Sequence, residues 1–223
     1  MVALLLAVGY LLGSLPFAVL VSRVLRYPDP RTYGSGNPGA TNVLRGAGRV
    51  AAVLTLVGDA GKGALAVWVG RIVGSGETLA LACGAAAFFG HLFPVFLRFR
   101  GGKGVATFLG VLLAFEPWLG LACSGVWLVV ALATRFSSLA SLSAAAAAPL
   151  LVNVGYKFGG KLAMVQFNWP LNAGWPWWSV IQLDTLARQL ALVLAMSLLL
   201  AWRHRSNIVK LRAGTESRIG TRS

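Results

Sequence analysis

Long apolar runs separated by short polar segments set the plan of this chain. Runs over about 2–22, 50–70, 78–95, 104–116, 118–134, 138–154 and 179–202 predict helices, most of them near the ~20 residues needed to cross a hydrocarbon core. The run 105–115 reaches only half a span and stops at Glu116-Pro117, which predicts a short helix paired with its successor. The expectation is an all-α polytopic membrane protein of seven helices, folded as one domain over 1–223.

Composition agrees with that plan and excludes an ordinary soluble domain. The chain is 57% hydrophobic and 12% charged, with mean hydropathy +0.73. Its formal net charge of +14 would point to nucleic acid in a soluble protein. Here the cations fall between apolar runs, so anionic headgroups and phosphorylated substrates are the expected partners and nucleic acid is not. Their placement also orients the chain. With the N-terminus outside, the groups at Arg23 to Arg49, Arg98 to Lys103, Arg135 and Arg203 to Arg222 all fall on the cytoplasmic side, leaving only Arg71, Lys157, Lys161 and Arg188 opposite. The opening run has no basic leader and is apolar for about a full span, so a retained helix is favoured over a cleaved signal. Residues 153–178 are too polar to span and hold Trp169, Trp175, Trp177 and Trp178; they read as an external, Trp-rich interfacial loop. The run Ala144 to Ala148 predicts close helix packing. Cys83 and Cys123 lie in apolar runs, which argues against a disulfide framework.

Three polar clusters share the cytoplasmic side of this topology. The first, SGNPGATNVLR from Ser35 to Arg45, offers Ser35, Gly36, Asn37, Thr41, Asn42 and Arg45 within one short loop. Backbone N–H groups freed by small residues, amide and hydroxyl donors and a fixed guanidinium make an anion cradle, with more convergent donors than a flexible turn needs. Gly34, Gly36 and Gly39 imitate a dinucleotide fingerprint, but a membrane helix precedes them where a strand is required. The second cluster, GHLFPVFLRFRGGKGVAT, sets Gly101, Gly102 and Gly104 around Lys103 at the start of a helix. Bare N–H groups and a mobile ammonium there suit phosphate, while Leu97 and Gly104 stand where a Walker loop needs Gly and Ser or Thr. His91 fits a packed, hydrogen-bonded imidazole as well as a catalyst, and is given a supporting place. The third cluster, WRHRSNIVKLRAGTE, carries His204 and Asn207 one turn apart, and Glu216 closes an otherwise basic segment. A basic juxtamembrane tail accounts for its cations but not for that pair.

Asp59 and Lys62 stand one turn apart inside a span, where mutual charge compensation is the default. Ser138 and Ser141 face the clusters, or serve as helix caps. The sequence has no carboxylate dyad, no Ser-His-Asp order and no metal-ligand spacing, so no metal and no cofactor is expected. Catalysis is left to positioning and electrostatic stabilisation of anions, with a substrate group as base. The rival from the residues alone is a transporter of an organic phosphate; its weakness is that the polar motifs crowd one face and no internal repeat is evident.

SGNPGATNVLR, GHLFPVFLRFRGGKGVAT and RHRSNIVKLRAGTE, with GSLPF at Gly13 to Phe17 and GDAGKG at Gly58 to Gly63, closely resemble the acyl-phosphate:glycerol-3-phosphate acyltransferase family. The resemblance covers most of the chain in order. It implies a multi-pass enzyme of the bacterial inner membrane, its site facing the cytoplasm, that moves an acyl group from acyl phosphate to glycerol 3-phosphate for phospholipid synthesis. It associates Gly101, Gly102, Lys103 and Gly104 with glycerol 3-phosphate, and makes Ser35, Asn37, Arg45, His204 and Asn207 essential. Ser141 becomes a substrate contact and Glu216 a structural acid. The stretch 153–178 is longer than the resemblance leads one to expect.

Overall fold

The computed structural model describes residues 1–74, 76–162 and 183–220, with side chains for all of these except 156–162 and 183–185. These residues form ten α-helices and one 3-10 turn, and no strand. The order is α1 (Val2–Ser14), α2 (Phe17–Val24), α3 (Ala40–Gly46), α4 (Gly48–Val73), α5 (Glu77–Leu92), the 3-10 turn Val95–Leu97, α6 (Val105–Phe115), α7 (Pro117–Thr134), α8 (Ser137–Leu162), α9 (Leu183–Arg203) and α10 (Arg205–Arg212).

Among the described residues, five segments are long and apolar enough to cross a membrane, and α1 with α2 makes a sixth, bent by 43°. The first run is therefore not the unbroken helix expected over 2–22. Pro16 cannot donate to the helical ladder, and the chain turns at Leu15 and Pro16. Seven full-length spans are not found among the described residues. The eleven residues of α6 extend about 16 Å, half of the ~30 Å hydrocarbon core. That helix is nonetheless central to the core: Thr107, Phe108, Val111 and Leu112 are buried, packed with Val67, Phe88, Leu92 and Leu200.

Small residues let the helices approach closely, as membrane interfaces require in the absence of a hydrophobic drive between them. A Cβ on Gly13 would run into the Ala87 carbonyl, and one on Gly110 into that of Ala60. Ala144, Ala145 and Ala148 are buried on α8, as the small-residue run predicts. Cys83 and Cys123 are buried and free. The helix α8 continues to Leu162, so the polar stretch expected to be a loop from 153 begins as helix; its Trp-rich part, 163–178, lies outside the described residues.

Candidate functional site

Asn42 organises the first motif. Its side-chain oxygen accepts from the Ser35 N–H at 2.9 Å, while its amide donates to the carbonyls of Pro30 at 2.7 Å and Tyr33 at 3.2 Å. Buried at 2% exposure, its side chain is engaged by its own loop. The motif is also half helix: the chain enters α3 at Ala40, so Thr41 and Arg45 stand on helix, while the exposed Ser35 and Gly36 and the half-buried Asn37 precede it. Gly36 takes φ +65°, a left-handed conformation that favours glycine. Thr41 Oγ1 lies 3.1 Å from Ser137 Oγ at the start of α8.

The glycines of the second motif differ from their expected role. The N–H groups of Gly101 and Gly102 donate to the carbonyls of Leu92 and His91, both at 3.2 Å, and are not bare donors for an anion. Both residues press against His91, where a Cβ on Gly101 would meet the His91 carbonyl and one on Gly102 its Nε2. Their own carbonyls accept from Arg203, at 2.6 Å to Gly101 and 3.1 Å to Gly102. Arg203 also stacks over Phe93, 5.6 Å from the ring centre. Sequence reasoning passed over Arg203 as one more juxtamembrane cation; nothing in its spacing marks it as the clamp of a loop a hundred residues away. Gly104, at φ +82°, then turns the chain into α6 directly after Lys103.

Lys103 lies within electrostatic reach of charged residues from the first and third clusters. Burial pushes its ammonium down to about 8, Glu216 opposes that shift, and Lys210, Arg45 and Arg203 add to it by repulsion. Arg45 offers Nη2 to the Ser217 carbonyl at 3.4 Å, and its buried Nε has no protein partner. Glu216 Oε1 accepts from Ser138 at 2.6 Å and from Asn207 at 2.8 Å, tying α8 to α10. This leaves the buried Asn207 Oδ1 open.

His204 caps α10 with its ring buried, and its Nδ1 lies 2.8 Å from the Leu200 carbonyl. A carbonyl only accepts, so Nδ1 carries the hydrogen and Nε2 keeps a lone pair. Burial, with Lys103 and Arg203 close by, pushes this imidazole down to about 4 despite the Leu200 bond and Glu216. It is therefore a neutral acceptor at physiological pH.

The remaining candidates support this group from outside it. Ser141 Oγ donates to the Ser137 carbonyl at 2.7 Å and accepts from Trp127 Nε1 at 3.1 Å. No hydrogen bond among the described residues joins Ser35 or Asn37 to Lys103, Asn207 or Glu216. Asp59 and Lys62 form the expected pair at 2.7 Å, both buried. Lys62 further donates to the Leu15 carbonyl at 2.7 Å, holding the break in the first span. His91 Nδ1 lies 3.4 Å from Asp59 and 3.2 Å from Thr107 Oγ1, a packed imidazole in a polar network. A narrow crevice is lined by Ser14, Pro38, Asp59, Lys62, His91 and Gly102, so this network borders the first two motifs. Among the described residues no group of His, Cys, Asp and Glu has the arrangement to hold a metal.

A helical bundle with apolar spans has the architecture of an integral-membrane protein. Comparison with known proteins makes the class specific. The profile of the glycerol-3-phosphate acyltransferase family matches residues 3–214. Glycerol-3-phosphate acyltransferases of Nitrosospira multiformis and Burkholderia thailandensis are 50% identical over 219 residues and 53% over 213, covering 96% and 95% of this chain and 95% and 93% of their own. The crystal structure of PlsY (YgiH), an integral membrane glycerol 3-phosphate acyltransferase, in its glycerol 3-phosphate form superposes with TM-score 0.80 at 35% identity, covering 99% of this chain and 96% of that one. Its lysophosphatidic acid form gives 0.78 at 34%, with the same coverage. The chain belongs to the glycerol-3-phosphate acyltransferase family.

Proposed function

We propose that this membrane acyltransferase takes its acyl group from acyl phosphate, passes it to glycerol 3-phosphate and releases 1-acylglycerol 3-phosphate (lysophosphatidic acid) and phosphate. The observation that carries this reading is that Glu216 holds Asn207, Arg45 reaches the Ser217 carbonyl beside it, and Lys103 lies within electrostatic reach of both Arg45 and Glu216, so that three distant motifs converge. Both substrates present phosphate, and Lys103 and Arg45 supply two cations for it. The primary hydroxyl attacks the acyl carbonyl, the carbonyl carbon loses its bond to the phosphate oxygen, and phosphate departs. The hydroxyl proton passes to a phosphate oxygen of the substrate. An imidazole near 4 is too weak a base to take that proton efficiently near neutrality, so His204 is assigned to accept and orient through Nε2. Asn207, with a second amide N–H beyond the one Glu216 occupies, and Ser35 attend the carbonyl oxyanion.

The site is assigned to the cytoplasmic face of the bacterial inner membrane, with α6 as a short seventh crossing. Counted that way, the basic segments fall on one side. The transport alternative gains no support, since the matching family and both solved relatives are acyltransferases. Purified protein given glycerol 3-phosphate and either palmitoyl phosphate or palmitoyl-CoA tests the donor: phosphate and lysophosphatidic acid should form with the first alone. Equal product from the thioester would overturn it.

A further inference from the structure

The segment after α10 doubles back over the motifs and is fastened at its far end by a residue outside all three. The Ile219 N–H donates to the Arg135 carbonyl at 2.7 Å, and Arg135 Nη2 donates to the Ile219 carbonyl at 3.1 Å. Arg135 ends α7 in a left-handed conformation, φ +61°, which turns its carbonyl out of the helix and toward this strand of chain. Arg218 adds a contact over the Phe136 ring, 5.6 Å from its centre. Between this fastening and α10 lie Glu216, which holds Asn207 and Ser138, and Ser217, whose carbonyl receives Arg45. Residues 216–219 thus form a strap with three attachments: α10 at one end, the α7–α8 corner at the other, and α3 in the middle.

We infer that Arg135 is a positioning residue for acyl transfer: by latching Ile219 it fixes the strap through which Glu216 and Ser217 set the poses of Asn207 and Arg45. The physical reason is the length of the lever. Glu216 Oε1 takes two donors from different helices, and a carboxylate on a loose chain would meet neither at a fixed angle. Two reciprocal bonds at Ile219 remove the freedom of the three residues behind it. Arg135 touches no reacting group. Its effect passes only through the strap, so it should be coupled most strongly to Glu216, which carries two of the strap's bonds.

The inference rests on the proposed reading of the site, and two readouts separate their failures. The first is hydrogen exchange of the 215–220 amides in the full-length protein, which needs no activity. Arg135→Gly, which keeps the left-handed backbone without strain, should speed exchange there roughly three- to tenfold, the range set by loss of one ordinary hydrogen bond. The second is steady-state phosphate release. Arg135→Gly and Arg135→Ala should each lower kcat/KM for glycerol 3-phosphate by roughly the same three- to tenfold, while Arg212→Gln, an exposed cation on α10, should change it by less than about twofold. In a Glu216→Gln background the Arg135 substitution should add less than about twofold, because both act through one strap. Unchanged exchange in Arg135→Gly overturns the latch whatever the enzyme does. Faster exchange with full kcat/KM, or effects of Arg135 and Glu216 that multiply, overturns the positioning role.

Discussion

Arg203→Ala is the sharpest test of how the second motif is held. In the structure its guanidinium donates to two successive carbonyls, Gly101 at 2.6 Å and Gly102 at 3.1 Å, with Phe93 beneath it. Hydrogen bonds from a charged donor contribute about 1.5–3 kcal/mol each. For a half-buried side chain whose carbonyls can turn to water, about 2–3 kcal/mol is a reasonable sum for the pair. The loop keeps its N–H bonds to His91 and Leu92, so the fold should survive while Lys103 loses its fixed position. Expressed wholly in transition-state binding, that energy is about a 30- to 150-fold loss of kcat/KM. Arg203→Lys should recover only part of it, because an ammonium cannot address two carbonyls as a planar fork does. The assay is phosphate release from acyl phosphate with glycerol 3-phosphate varied, beside thermal unfolding of the same detergent-solubilised sample. Less than a threefold loss with unchanged Tm would refute the clamp.

Three further outcomes follow from the geometry. With its ammonium near 8 in the free protein, Lys103 is charged below that pH and neutral above it, so kcat/KM should fall as pH rises through about 8; Lys103→Arg should remove that limb whatever its absolute rate. Lys62→Met should destabilise the protein by about 3–5 kcal/mol by leaving Asp59 buried and unpaired, and Asp59→Leu with Lys62→Met should restore much of it, read by thermal unfolding. Gly102→Ala forces a methyl into His91 Nε2 and should cost about 1–3 kcal/mol of stability, while Gly48→Ala, in open space, pays only for its positive φ; the two melting temperatures check the order.

Much of the fold was legible because membrane spans announce themselves by length and apolarity. The break at Pro16 was legible in principle, since GSLPF sets a proline mid-run; what hides it is that Lys62, forty-seven residues away, holds the carbonyl left at the turn. The short α6 was visible as half a span, but its place in the core depends on Gly63 and Gly110 admitting neighbouring backbone, which no apolar count reports. In the candidate site, residue types and spacing single out segments but do not report how their groups are bonded inside the fold. Asn42 and the N–H groups of Gly101 and Gly102 are spent within the protein, and His204 is neutral, because satisfaction and burial are properties of the folded surroundings. Arg203 and Arg135 act on carbonyls distant in sequence, and backbone acceptors leave no trace in the residue pattern.

The most direct test of the central claim is a single incubation of purified protein with acyl phosphate and radiolabelled glycerol 3-phosphate, counting both products. Lysophosphatidic acid and inorganic phosphate should appear in equal amounts, with Lys103→Ala and Arg45→Ala each lowering both together by at least about a hundredfold, the loss of a charge-assisted phosphate contact or more. Phosphate released without labelled lipid, or undiminished transfer by both variants, would contradict the account.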